Sequence, residues 1–435
     1  MGMLIGTTPA MSKDYFLASG RWDNIVLVID LEKAIDPAND GTSKAVVNRL
    51  RVTPDIVVNG EKQIASGQPI IVTIAPDYRT AYISNHSGAT AAADTAKFQH
   101  GHRGSVTVVD LTKALDEEAD ETLHAVKGWI DSEGYGATGF TILPGGTHAA
   151  LAHAEAQGLE DGGRHINIID LAKGKVVHKV EQAYGKPGHD CPPADMAKSA
   201  PDARFGCFPD TNGVTASPLG GKSGLIFTAN GGSNDVSVID VAKAIAGEPN
   251  AEIGRIPVQA GGFGISTSPD GKLVAQASRE NPQDGKEANT ISIIDVLKAG
   301  TDPASAEVAR VRVGTDDENE SSRPFVGAFT PDGTKIVSTN FRTNNIDIID
   351  VAKALAGEKA TLARIPLSTG SDKPSRPRGV AITPDGQYAA ITGAPPKDGH
   401  NSSMVWIVDL TTNEVKGRVT EIGSESYMIG YFAAE

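Results

Sequence analysis

The 435 residues are 39% hydrophobic and 22% charged, enough apolar material for a packed core and too much for wholesale disorder. Acidic residues outnumber basic ones by 54 to 40, and the resulting charge of −14 repels phosphate backbones and anionic lipids, which argues against a nucleic-acid partner. No stretch approaches the ~18 consecutive apolar residues of a membrane span, so none is expected.

In chain order, KDYFLASG at 13–20 has the alternation of a strand, and IVLVID at 25–30 follows it as another, ending at Asp30. The second pattern then recurs as VTVVD at Asp110, INIID at Asp170, VSVID at Asp240, ISIID at Asp295, IDIID at Asp350 and VWIVD at Asp409. Successive aspartates stand 80, 60, 70, 55, 55 and 59 residues apart, and the wrap from Asp409 through the chain end to Asp30 is 56, so the series closes on itself. Within a unit such as 260–300, a strand AGGFGISTS, a Pro269-Asp270-Gly271 turn, a strand KLVAQAS and a strand NTISIID follow one another. A short helical segment and an outer strand complete the unit. Each repeated aspartate is expected to cap the turn after it, since its carboxylate can accept the free amide hydrogens there.

A four-stranded unit cannot bury both faces alone, so the period predicts an all-β, seven-bladed β-propeller of antiparallel blades forming a single domain over 1–435. At the ends, KDYFLASG lacks a first strand and SYMIGYFAAE lacks a second; the two are expected to share one blade and close the ring.

The segments FTANGGSNDVSVID (227–240), STSPDGKLVAQAS (266–278), FTPDGTKIVSTN (329–340) and AITPDGQYAA (381–390) resemble the YVTN-type propeller repeat along essentially the whole chain. That resemblance implies the fold. It leaves activity open, because similar repeats serve lactonase-like enzymes, binding proteins, the heavy subunit of methylamine dehydrogenase and the propeller of nitrous oxide reductase.

In such a ring, second-strand ends and first-strand starts meet at one channel mouth, where the insertions 86–104 and 186–213 also fall. His86, His153 and His189 with Glu155 are candidate ligands there for one divalent metal ion, copper, zinc or calcium, with His153 and Glu155 also candidates for acid–base chemistry. The alternative is that these are scattered loop histidines. Arg21, Arg279, Arg342 and Arg378, joined by Arg323, are candidate binders of a small anion, because the planar guanidinium pairs two-pronged with a carboxylate; ion pairing between blades with Glu280 or Asp23 is the competing role. No glycine-rich loop opens a long helix, so no nucleotide cofactor is expected. An aromatic content of 5% argues against a sugar-stacking platform.

Cys191 and Cys207 lie in one segment without helical or strand period and are candidates for a disulfide, which places the chain in the periplasm or outside the cell with its signal peptide removed. The functional expectation is a channel-mouth enzyme, metal-dependent or not, acting on a small carboxylated or lactone-type molecule as hydrolase, lyase or isomerase. The alternative is a noncatalytic periplasmic binding or electron-transfer scaffold whose mouth docks a partner protein.

Overall fold

The computed structural model describes residues 12–58, 61–64, 67–86, 103–116, 121–154, 163–182, 209–281, 286–395 and 401–434. Seven four-stranded antiparallel sheets account for all but one two-stranded hairpin, Asp55–Val58 with Glu61–Ile64. The innermost strands of blades 1 to 7 are Ile429–Ala434, Pro69–Ile74, Ala137–Ile142, Thr211–Ser217, Gly262–Thr267, Pro324–Phe329 and Pro377–Ile382, and each packs against the next around a complete ring. The architecture is the expected seven-bladed propeller.

Blade 1 is assembled from both chain ends. Lys13–Gly20 pairs with Ile25–Asp30 on one side and with Ile429–Ala434 on the other, in a register running from Lys13 opposite Ala434 to Ala18 opposite Ile429. Tyr15 stacks on Phe432 at 5.4 Å, and the Tyr431 hydroxyl donates to Asp14 at 2.5 Å.

Seven apolar clusters hold the ring, one at each junction between neighbouring blades. The junction of blades 6 and 7, for example, buries Ile346, Ile348, Ile391 and Trp406. Each fully buried aliphatic side chain contributes roughly 1.5–3 kcal/mol, so stability is distributed over junctions between neighbours.

The repeated aspartates cap as expected. Asp30, Asp240, Asp295 and Asp350 accept the amides of Lys33, Lys243, Lys298 and Lys353 at 2.9–3.0 Å, each opening a short helix. Asp110, Asp170 and Asp409 cap tighter turns through the amides of Thr112, Lys173 and Thr411.

Two local devices shape the face on which the inner strands begin. The inner strands of blades 2 to 7 all break register near their first residues, with Phe263, Phe325 and Arg378 at the break in blades 5, 6 and 7. Such bulges re-aim a side chain. At Gly264 and Gly379 an added Cβ would stand 2.5 Å from the Phe325 and Tyr427 carbonyl oxygens, so the close approach of neighbouring inner strands requires glycine there.

Candidate functional site

Six arginines described on this face come from four blades: Arg21 follows the second strand of blade 1, Arg279 lies near the end of that of blade 5, Arg323 precedes the first strand of blade 6 and Arg342 follows its second, and Arg376 and Arg378 open blade 7. Between them lies a floor of rings. Phe325 of blade 6 stands 4.1 Å from Phe263 of blade 5, 6.1 Å from Phe341 and 5.6 Å from Tyr427 of blade 1. Phe263 and Tyr427 come within 6.5 Å although two blades separate their strands, so the rings reach across the bore.

The guanidinium groups stack on this floor. Arg279 lies 5.0 Å from the centre of Phe325 and 5.4 Å from Phe341; Arg378 lies 4.2 Å from Tyr427 and 5.5 Å from Phe341. Arg376 stands over Phe341 at 5.7 Å and Arg21 over Trp22 at 4.4 Å. Each such contact is worth about 0.5–2 kcal/mol, rising with desolvation.

Three glutamates pair with five of these six cations. Arg279 and Arg323 share Glu280 at 3.1 and 2.7 Å, Arg323 and Arg342 share Glu287, and Arg21 and Arg378 share Glu425 at 3.7 and 3.0 Å. Arg21 also donates to the Gln68 side chain and, at 3.0 Å, to the Tyr427 hydroxyl. The Nε groups of Arg279, Arg323 and Arg378 are buried without a hydrogen-bond partner, and the Arg279 and Arg378 guanidinium groups lie over rings. Burial lowers the Arg279 pKa, Glu280 opposes that shift, and the charges of Arg378 and Arg323 add to it. Hydrogen bonding from Arg342 holds the Glu287 carboxyl below the usual carboxylate range. Glu280 thus fills the ion-pairing role weighed for it, and Asp23 accepts the Ser424 amide.

Backbone strain is concentrated at the same place. Gln68, Arg323 and Arg376 each adopt left-handed φ of 48–51° directly before the proline that opens an inner strand. A non-glycine residue held there costs about 1–3 kcal/mol, and such strain clusters at functional sites. Asparagines in the same conformation clasp successive blades: the side-chain oxygens of Asn24, Asn234 and Asn344 accept the amides of Gly67, Gly261 and Arg376 at 3.1, 2.8 and 3.0 Å.

A cavity of about 250 Å³ opens at the mouth where blades 7 and 1 meet, lined by Trp22, Arg376, Arg378 and Glu425 together with Ala394, Pro395 and Ser402. Larger clefts of about 490 and 460 Å³ lie at the outer rim, between blades 5 and 6 and between blades 3 and 4, without aromatic lining.

The candidate metal and acid–base residues are only partly described. Glu155, His189, Cys191 and Cys207 lie outside the described residues, as does most of both insertions. His86 follows the second strand of blade 2, its amide bonded to the Gln68 carbonyl. His153 ends the second strand of blade 3 but is only 1% exposed and packs against Gly134. Burial first, then the charges of His165 and Lys179, lower its pKa to about 3, against the hydrogen bonding of the His165 and Ser132 backbone, so the imidazole is neutral. Among the described residues, no three His, Cys, Asp or Glu side chains gather as a metal-holding group.

Sequence reasoning did not single out Trp22, Phe263, Phe325, Phe341, Tyr427, Arg376 or Glu425. The available signal was the second position of the inner strands of blades 5 to 7, which reads Gly262-Phe263, Pro324-Phe325 and Pro377-Arg378. Overall aromatic content carries no such signal, since five of the 22 aromatic residues stand at this mouth.

No known family profile matches the chain, and no curated protein matches it in sequence. In structure it is similar to a periplasmic gluconolactonase of Pseudomonas aeruginosa, at 15% identity over 97% of this chain and 100% of that one with a TM-score of 0.62. It is also similar to a putative 6-phosphogluconolactonase of Bacteroides fragilis, at 13% identity over 98% and 99% with a TM-score of 0.60. Hydrazine synthase of Kuenenia stuttgartiensis matches at 21% identity over 81% and 80%, with a TM-score of 0.52. At these identities the likeness shows the propeller fold.

Proposed function

We propose that the arginine-lined mouth binds a small carboxylate and opens its lactone by hydrolysis. The observation that carries this reading is the local charge: six guanidinium groups gather at the mouth, five of them paired with three glutamates, in a chain whose total charge is −14. A cationic mouth in an acidic molecule attracts small anions and repels larger polyanions' nonspecific contact elsewhere on the surface. Likeness to proteins described as gluconolactonases agrees with the lactone class.

In this mechanism Arg376 and Arg378 polarise the lactone carbonyl and stabilise the negative charge that develops on its oxygen. Glu425, held 3.0 Å from Arg378, takes a proton from the attacking water. The new carbon–oxygen bond forms, the ring carbon–oxygen bond breaks, and the departing alkoxide takes up a proton. The product is a hydroxy acid whose carboxylate pairs with the arginines until it is displaced. His153, neutral within the blade 3 wall, serves packing in this reading.

The test is proton release from a panel of γ- and δ-lactones, with product binding followed by calorimetry. Glu425→Gln is expected to lower kcat about a hundredfold or more while the melting temperature stays within a few degrees. Product binding is expected to weaken as salt rises. Carboxylate binding without turnover of any lactone would overturn the hydrolase assignment, and absence of both would overturn the mouth as the site.

A further inference from the structure

Resting on that reading of the mouth as a lactone-opening site, we propose that the Tyr427 hydroxyl gives the proton that the departing ring oxygen takes up, which fits the site to lactones of aliphatic hydroxy acids. Three observations carry it.

The first is where the hydroxyl stands. One nitrogen of Arg21, Nη1, lies 3.0 Å from the Tyr427 hydroxyl oxygen and 3.7 Å from Glu425 Oε2. The phenol and the carboxylate that activates water are therefore neighbours around a single atom. Hydrolysis calls for such a pair, because the attacking oxygen must lose a proton and the leaving oxygen on the same carbon must gain one.

The second is the chemistry of the donor. Arg21 donates to Tyr427, so the hydroxyl accepts there through a lone pair and keeps its own hydrogen to give. The charge that the transfer leaves on the phenol oxygen meets Arg21 at hydrogen-bond distance and the Arg378 guanidinium, which stands 4.2 Å from the ring centre.

The third is rigidity. Gln68, in left-handed backbone at φ 51°, accepts from Arg21 Nε and Nη2 at 3.2 and 3.0 Å and so aims Nη1 at the phenol. The Tyr427 amide donates to the Ser19 hydroxyl at 3.1 Å, its carbonyl accepts from Thr392, and Phe325 stands edge-on to its ring at 5.6 Å. A proton donor fixed on every side is preorganised for transfer.

Glu425 takes one proton of water, the water oxygen bonds to the carbonyl carbon, and the ring carbon–oxygen bond breaks with its electron pair on the ring oxygen, which takes the phenol proton. The proton on Glu425 returns through solvent to the phenolate, and the product acid ionises. An aliphatic alkoxide is as strong a base as hydroxide, with a conjugate-acid pKa of about 15.7, and leaves poorly unless protonated, whereas a phenolate, at about 10, needs little help.

δ-Valerolactone, which releases an alkoxide, and dihydrocoumarin, a δ-lactone that releases a phenolate, are the probes, with turnover by the full chain followed as proton release. Tyr427→Phe is expected to lower kcat about a hundredfold on δ-valerolactone and less than tenfold on dihydrocoumarin, with a melting temperature within a few degrees of wild type. Glu425→Gln lowers both about equally. Equal losses on the two lactones in Tyr427→Phe, or no loss, overturn the inference and leave the lactone-opening reading standing. So does a wild type that prefers dihydrocoumarin more than a hundredfold, a comparison that needs no variant. A folded wild type that opens no lactone of either kind sinks the proposed function and this inference together.

Discussion

Arg378 and His153 illustrate opposite uses of a buried cationic residue type. Arg378 keeps its charge because Glu425 pairs with it and aromatic faces cover it. His153 is buried, and burial keeps it neutral. Its folded pKa of about 3 lies below the 6.5 of an unfolded histidine, so protons bind the unfolded chain preferentially as pH falls. The stabilisation from neutral burial is therefore complete above about pH 6.5 and is lost towards pH 3, with roughly 2 kcal/mol gone by pH 5. Denaturant midpoints measured between pH 7 and 4 should fall accordingly, and His153→Gln should flatten that slope even if it lowers stability throughout. A wild-type slope unchanged by the substitution would contradict this account.

At the scale of elements, the asparagine clasps connect backbone conformation to the site. Asn344 takes φ 58° and holds the Arg376 amide, fixing the turn from which Arg376 and Arg378 reach the mouth. Asn344→Ala loses that hydrogen bond and forces a Cβ-bearing residue without a polar side chain into the left-handed region, at about 1–3 kcal/mol. Asn344→Gly relieves the conformational part and loses only the bond. Lactone-product affinity should drop in both variants, and stability more in the alanine one; equal stability of the two would remove the conformational argument. The insertion 186–213 supports a separate expectation: no thiol titrates in the denatured, unreduced protein and two titrate after reduction, as a Cys191–Cys207 disulfide requires.

For the whole molecule, ring closure decides cooperativity. The six-residue pairing of Lys13–Gly20 with Ile429–Ala434 removes the two open edges that a linear array of blades would have, and it completes the clusters on both sides of blade 1. Deleting residues 426–435 removes the inner strand of that blade, along with its contacts to blades 2 and 7. Thermal unfolding of the truncated chain should begin well below that of the intact chain and lose its single sharp transition. An unchanged melting curve would mean that the closure adds nothing to stability.

The repeat count, the strand order within blades, the aspartate caps and the shared blade at the chain ends were all legible in the sequence, because each depends on a local pattern repeated seven times. The convergence of Arg21, Arg279, Arg342 and Arg378 on one mouth followed from the same periodicity. Their partners did not. Arg21 bonds to Tyr427, 406 positions away, and the ring floor draws on blades 5, 6 and 1 through bulges whose register no alternation pattern reveals. Local hydrogen bonding and hydrophobic period write the blade into the chain, but which side chains meet over the bore is decided only when seven blades close and their inner strands approach within glycine distance.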